Sequence, residues 1–317
     1  ASNGNTAAIQ ATSIYDIAVP TVAIQNVPAN SNAAFTATFE FSENVTGFVV
    51  GDITLANASI SNFTVVDGNT YTALITPTGA SGSDVTIDVV AAVATDIASN
   101  DNTAAVQVTS AYDVVAPTVA IQNVPANSNA AFTATFEFSE EVTGFTIADI
   151  GLGNASASNF TAIDGNTYTA LITPTGASGS TVTVDVASTV AIDVASNANT
   201  AATQVTSAFD NAEPTVEVLN APATINNTAA YTLTAQFSEA VSAFIAADIS
   251  VINAAVSNFI AVDSDTYTFD VTPDGMGNIV VNIAANIALD SAGNQNTAAT
   301  QVTTVLDTDG DGIDDQT

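Results

Sequence analysis

Between Phe35 and Phe41 the chain alternates strictly: Phe35, Ala37, Phe39 and Phe41 share one face, and Thr36, Thr38 and Glu40 the other. A period of two over this length predicts a half-buried β-strand. Further strands are predicted over 21–25, 53–56, 60–66, 70–76, 85–90 and 103–112, all dominated by Thr, Val, Ile, Phe and Tyr. Asp67-Gly68-Asn69 is a hairpin-turn signal, and the Gly- and Ser-rich run from Pro77 to Ser83 reads as a loop.

The pattern then repeats. Pro20, Pro117 and Pro214 lie 97 residues apart, each in a joint that carries an acid and then Pro-Thr-Val. A fixed period of this size predicts an array of similar units. Seven short strands per unit, with no helical periodicity, predict an all-β fold of tandem immunoglobulin-like β-sandwiches. The expected domains are repeat 1 at 17–113, repeat 2 at 114–210 and repeat 3 at 211–306. Residues 1–16 carry the text that closes each later unit, so they read as the last strand of a preceding, truncated repeat in an excerpt of a longer protein. The sharper alternative is a strand donated to a neighbouring subunit. Residues 307–317 form an acidic tail.

Composition changes the picture sharply. The chain has 32 Asp and Glu and no Lys, Arg or His, for a net charge of −32. No side chain can offset that repulsion, so metal cations or a saline medium are the expected compensation. Nucleic acid and direct membrane insertion are not expected, because basic residues and a long apolar run are both missing. Without Cys, Lys or His there is no thiolate, Schiff base or imidazole base. A carboxylate pair of the glycosidase kind is the common mechanism left, and an enzyme is not expected.

Strand parity predicts where the acids meet. If the first strand runs down from one end of the sandwich, Glu43, Asp52, Asp96 and Asn100 gather at that end beside the incoming Asp16. The same set in repeat 2 is Glu140, Asp149, Asp193 and Asn197, met by Asp113. In repeat 3 it is Glu239, Asp248, Asp290 and Asn294, met by Asp210. Carboxylates converging without a basic partner repel if left empty. All-oxygen ligands suit Ca²⁺, which takes six to eight at about 2.3–2.6 Å, better than Mg²⁺ with its strict octahedron. One residue at a time, a capped turn or an Asx-turn explains each acid as well. Asp67, Asp164 and Asp263 lie at the same end but are accounted for by their hairpin turns. In the tail, Asp307, Asp309, Asp311 and Asp315 alternate with other residues around Gly312 as in EF-hand loops, although the twelfth loop position falls beyond Thr317.

Phe41-Ser42-Glu43, Val45-Thr46-Gly47-Phe48, Asp52-Ile53, Ser61-Asn62-Phe63 and Asp96-x-Ala98-x-Asn100 together resemble the signature of bacterial Ig-like repeats, the modules stacked in large secreted adhesins. The resemblance spans roughly 17–306. Repeat 3 departs from it at Ala240, after the glutamate, and at Ala243, where the other two repeats have glycine. The tail resembles thrombospondin type 3 calcium repeats, which follow such arrays in surface proteins of gliding bacteria. A gliding-motility adhesin is the nearest particular reading. These resemblances imply an extracellular, cell-surface or secreted stalk whose joints are stiffened by calcium. Its partners would be neighbouring repeats of the same chain and a host-surface or glycan ligand outside this segment. Alternatives are a subunit of a self-assembling filament or surface layer, and a glycan- or ice-binding module using the Thr-rich faces.

Overall fold

The structure is a computed structural model and describes residues 1, 4, 6–10 and 15–307. In the first repeat the strands are β1 (Val22–Gln25), β2 (Asn30–Ser31), β3 (Phe35–Phe41), β4 (Ile53–Ala56), β5 (Ala58–Val65), β6 (Thr70–Pro77), β7 (Ser83–Val89) and β8 (Val108–Tyr112). They form two four-stranded sheets, ordered β1-β3-β6-β5 and β2-β8-β7-β4. The same order recurs between Val119 and Phe209 and between Val216 and Leu306. The chain is therefore all-β, with three tandem immunoglobulin-like sandwiches.

The alternating run becomes β3 over the predicted residues, with Ala37, Phe39 and Phe41 buried and Thr36 and Glu40 exposed. It pairs antiparallel with β1 and β6, aligning Phe39 with Tyr71. The hairpin at Asp67 joins β5 to β6, and Asp67 Oδ1 accepts N–H bonds from Asn69 and Thr70. Two expectations shift. The two-residue β2 has no counterpart among the predicted strands; it pairs parallel with β8 and carries the chain from one sheet to the other. Strand β8 begins at Val108 rather than 103, because the segment before it is tied elsewhere: Thr103 N–H donates to Pro20 O and Ala105 N–H to Val89 O. Residues 6–10 form no strand, and the expected strand through 11–14 lies outside the described residues.

Each core is a sandwich filling of aliphatic side chains closed at one end by aromatics. In repeat 1, Phe48 from the loop after β3 meets Phe41 edge-on at 5.1 Å and Tyr71 at 5.0 Å. Tyr71 Oη donates to Val45 O at 3.3 Å. The loop between Phe41 and Phe48 is thereby pinned at both ends and in the middle by buried Val45. Phe237, Phe244 and Tyr267 repeat the arrangement in the third sandwich.

A second pin lies under the opposite loop. Asn102 is 2% exposed and makes four bonds. Its Oδ1 accepts from Val93 N and Ala94 N, and its Nδ2 donates to Val90 O and Thr103 O. Asn296 makes the equivalent four in repeat 3. One amide thus satisfies backbone groups that no strand ladder reaches.

By proximity the chain divides into two compact units, Ala1–Thr118 with Phe138–Phe145 and Ser188–Ala201, and Val119–Glu137 with Thr146–Ala187 and Ala202–Thr317. Each acid cluster described below lies wholly inside one of them.

Asn102→Ala removes the partner of two N–H and two C=O groups at the base of the loop. It is expected to cost about 3–4 kcal/mol in a chemical-denaturation measurement on the first sandwich. A cost under about 1 kcal/mol would mean water replaces the amide.

Candidate metal centre

The two pinned loops bring acids to one end of each sandwich. In repeat 1, Glu43 stands on the loop held by Val45 and Phe48, and Asp96 on the loop held by Asn102. The isolated bridge Thr46↔Thr95 joins the two loops, and Thr95↔Asp101 closes the Asp96 loop on itself. Asp96 is 4% exposed, and its counterparts Asp193 and Asp290 are 3% and 7% exposed. Its carboxylate is folded onto its own loop: Oδ1 accepts from Asn100 N and Oδ2 from Asn100 Nδ2, both at 2.8 Å. Ser99 takes φ 69° to close that turn.

Asp16 completes the first group. One carboxylate oxygen from each of Asp16, Glu43 and Asp96 can lie within 4.8 Å of the others. Asp113, Glu140 and Asp193 form the second such group, and Asp210, Glu239 and Asp290 the third. Each could hold a metal ion. The donors are all oxygen, since the chain has neither His nor Cys. That chemistry fits hard cations rather than the N and S ligands of zinc.

The acids within each group are not equivalent. Asp113 Oδ1 accepts from Val115 N–H at 2.9 Å and Ser81 Oγ at 2.7 Å, and these bonds hold its pKa below the usual aspartate range. Asp210 is lowered likewise by Ser178 Oγ and Ala212 N–H. The side-chain amide of Asn100 lowers Asp96. The glutamates go the other way. Loss of solvent, then the nearby charges of Asp193 and Asp113, raises Glu140. Glu43 is raised by desolvation, Asp16 and Asp96, and Glu239 by desolvation, Asp210 and Asp290. The aspartates have N–H and O–H donors to lean on. The glutamate in each group bears the loss of solvent and, after it, the repulsion of its two neighbours.

Other acids expected at this end lie apart from the groups. Asp52, Asp149 and Asp248 end short 3₁₀ turns before Ile53, Ile150 and Ile249. Each turns Oδ2 back to accept the N–H three residues earlier, at Val49, Thr146 and Ile245, at 2.8 Å. Asn100, Asn197 and Asn294 are present, but as hydrogen-bond donors: each Nδ2 binds both the buried aspartate of its loop and the backbone O of Asp16, Asp113 or Asp210. Asp307 is 8% exposed and its N–H donates to Ile225 O. Asp309, Asp311 and Asp315 lie outside the described residues.

Residues not singled out from sequence also matter here. Ser81 and Ser178 hold the joint aspartates, and Asn32 Nδ2 donates to Asn197 Oδ1 at 3.2 Å. One sequence signal existed. The Gly-Ala-Ser-Gly loop that supplies Ser81 and Ser178 is replaced by Gly275-Met276-Gly277 in the repeat whose last strand leads to no proline joint.

The raised glutamates set a pH dependence. A carboxyl whose folded pKa exceeds its unfolded value stabilises the fold fully below the unfolded value, and loses that contribution as pH rises through the folded one. In chelator, the melting temperature should therefore fall from mildly acid pH toward neutrality. Glu140→Gln should flatten part of that fall. A chelated protein whose stability rises through the same window would contradict the assignment.

The sequence profile of the bacterial Ig-like domain matches residues 16–112, 113–209 and 210–306. No curated protein matches the sequence. Among solved structures, invasin, a bacterial integrin-binding protein, aligns with 92% of the chain at 16% identity and a TM-score of 0.34. The chain covers 60% of that invasin structure, less than two thirds of its length. The I9–I11 tandem of titin aligns over 92% of the chain and 97% of its own, at 8% identity and a TM-score of 0.30. Likeness at that level carries no functional implication. The family matches are another matter: they run consecutively, one to each sandwich, and the chain belongs to the bacterial Ig-like domain family.

Proposed function

We propose that this chain is a structural segment of an extracellular, adhesin-like bacterial surface protein, with Ca²⁺ closing the joint at the head of each repeat. The observation that carries this reading is the threefold recurrence of an Asp-Glu-Asp group at one position of the repeat, in a chain without a single basic side chain. Three carboxylates within 4.8 Å cost free energy when empty and become a ligand set when a divalent cation enters. A carboxylate-rich oxygen site of irregular geometry suits Ca²⁺ better than Mg²⁺. Membership of the bacterial Ig-like family supports a structural role at the cell surface. Among the described residues no helix is long and apolar enough to cross a membrane. Chain beyond this segment would supply the anchor and the adhesive end. The acidic tail from Asp307 to Asp315 would add a further calcium loop.

In this reading the cation is bound by Glu140, Asp193 and Asp113 at the second joint and by their counterparts at the other two. The glutamate is the group whose charge most needs it. Calcium at millimolar concentration should raise the melting temperature by several degrees over chelator, since a ligand at 100 times its Kd contributes about 2.7 kcal/mol. Glu140→Gln with Glu239→Gln should remove most of that increment while leaving the chelated protein as stable as before or more so. If calcium leaves the melting curve of the unsubstituted chain unchanged, the cation reading fails.

A further inference from the structure

The three joint asparagines do something that a cation ligand need not do. Asn197 Nδ2 donates one hydrogen to Asp193 Oδ2 and the other to the backbone O of Asp113, each at 2.9 Å. Its backbone N–H binds Asp193 Oδ1 at 2.8 Å, and its Oδ1 accepts from Asn32 Nδ2. The amide is saturated as a donor, and its oxygen already has a partner. Asp113 is gripped at its other end as well. Ser81 Oγ donates to Asp113 Oδ1 and accepts from Val114 N–H at 3.0 Å, while Val115 N–H binds the same Oδ1. The next joint reproduces the set with Asn294, Asp210 and Ser178: Asn294 Nδ2 reaches Asp210 O and Asp290 Oδ2 at 2.8 Å, and Ser178 holds Asp210 Oδ1 and Asn211 N–H. At the first joint Asn100 Nδ2 reaches Asp16 O at a longer 3.3 Å, and Asp16 Oδ1 accepts from Ala18 N–H.

We propose that Asn197 with Ser81, and Asn294 with Ser178, form a two-ended neutral clamp on the joint aspartate, which fixes the segment after it whether or not a cation is bound. The asparagine is then a positioning residue. It holds the carbonyl of Asp113 and the carboxylate of Asp193 in register so that the three acids meet as a ready-made set. A side-chain amide does this with its two N–H groups and without adding a charge. An aspartate offers no N–H, and it would place a fourth carboxylate against Asp193 and a carbonyl oxygen. The serine has a matching constraint, because its hydroxyl donates and accepts at once, bridging the Asp113 side chain and the next backbone N–H. The repeat that leads into the acidic tail has Met276 in the loop where the other two carry this serine. This inference deepens the joint reading above but uses the cation only for the purpose the clamp serves, not for the clamp itself.

Hydrogen exchange on the full chain in chelator tests it directly. Asn197→Asp is compared with Asn62→Asp, which adds the same charge on the exposed edge strand β5. Asn197→Asp should speed exchange of the 113–116 amides by about tenfold or more, and Asn62→Asp should leave them at the unsubstituted rate. Equal rates in the two variants would overturn the clamp. Adding calcium should slow exchange in the unsubstituted chain without returning Asn197→Asp to that rate. Full recovery would mean residue 197 acts as a ligand, and the proposal would fall. If calcium changes nothing in the unsubstituted chain, the cation reading fails while the chelator comparison still decides the clamp. Should Asn197→Asp not fold, Ser81→Ala tests the clamp from its other end: several-fold faster exchange at Val114 and Val115 is expected, and an unchanged rate would overturn the two-ended arrangement.

Discussion

A protein without one cationic side chain has to settle every carboxylate by other means, and that constraint governs the ends of these sandwiches. The solution for aspartate is the backbone. Asp67 leans on the N–H groups of its hairpin, Asp52 on a 3₁₀ turn, Asp96 on its own loop, and Asp113 on Val115 N–H. Short side chains reach nearby N–H groups easily, and the charge-assisted bonds that result hold Asp67, Asp96 and Asp113 in the ionised form. Among the described residues Glu43, Glu140 and Glu239 have no such outlet, and loss of solvent and then the neighbouring aspartates raise them instead. The uncompensated charge of each repeat collects at one glutamate, beside two aspartates that backbone N–H groups already hold.

That division explains why the loops must be rigid. A cluster of like charges on mobile loops would relax by moving apart. Here the glutamate loop is pinned by Val45 and Phe48 in the aromatic end of the core, and the aspartate loop by the buried Asn102 amide. The repulsion is thereby held in place by hydrophobic burial and by backbone hydrogen bonds, both of which are insensitive to the cation. The sandwich core and the joint chemistry are one mechanical system: loosening Phe48 or Asn102 would change the acid geometry without touching an acid.

Much of this was legible from residues alone, for physical reasons that can be named. Strict alternation over Phe35–Phe41 leaves one register compatible with a buried face, so β3 falls where the pattern puts it. Once the strands are counted, their direction dictates that the loops bearing Glu43 and Asp96 share an end, with Asp16 arriving there. Two things were not legible. The two-residue β2 has no periodicity to detect; it exists because the first strand must leave one sheet for the other. The role of Asp52 was equally hidden, since parity assigns an end of the sandwich but not a side-chain direction. Its carboxylate is decided by a 3₁₀ turn that offers an N–H within reach.

The asparagines mark the limit most clearly. In sequence, Asp96-x-Ala98-x-Asn100 offers two oxygen-bearing side chains at a spacing that suits a cation loop as well as it suits an Asx-turn. Folded, the asparagine spends its amide hydrogens on a neighbouring carboxylate and on a carbonyl delivered from a residue 84 positions earlier. No local pattern encodes that second acceptor. What the sequence does retain is its consequence. The joint aspartate, the loop asparagine and the loop serine are kept together in the two repeats that feed a proline joint, and the serine is gone from the loop of the repeat that leads instead to the acidic tail. That co-occurrence, more than the Asp-x-Ala-x-Asn motif that all three repeats share, ties the loop serine to the joint.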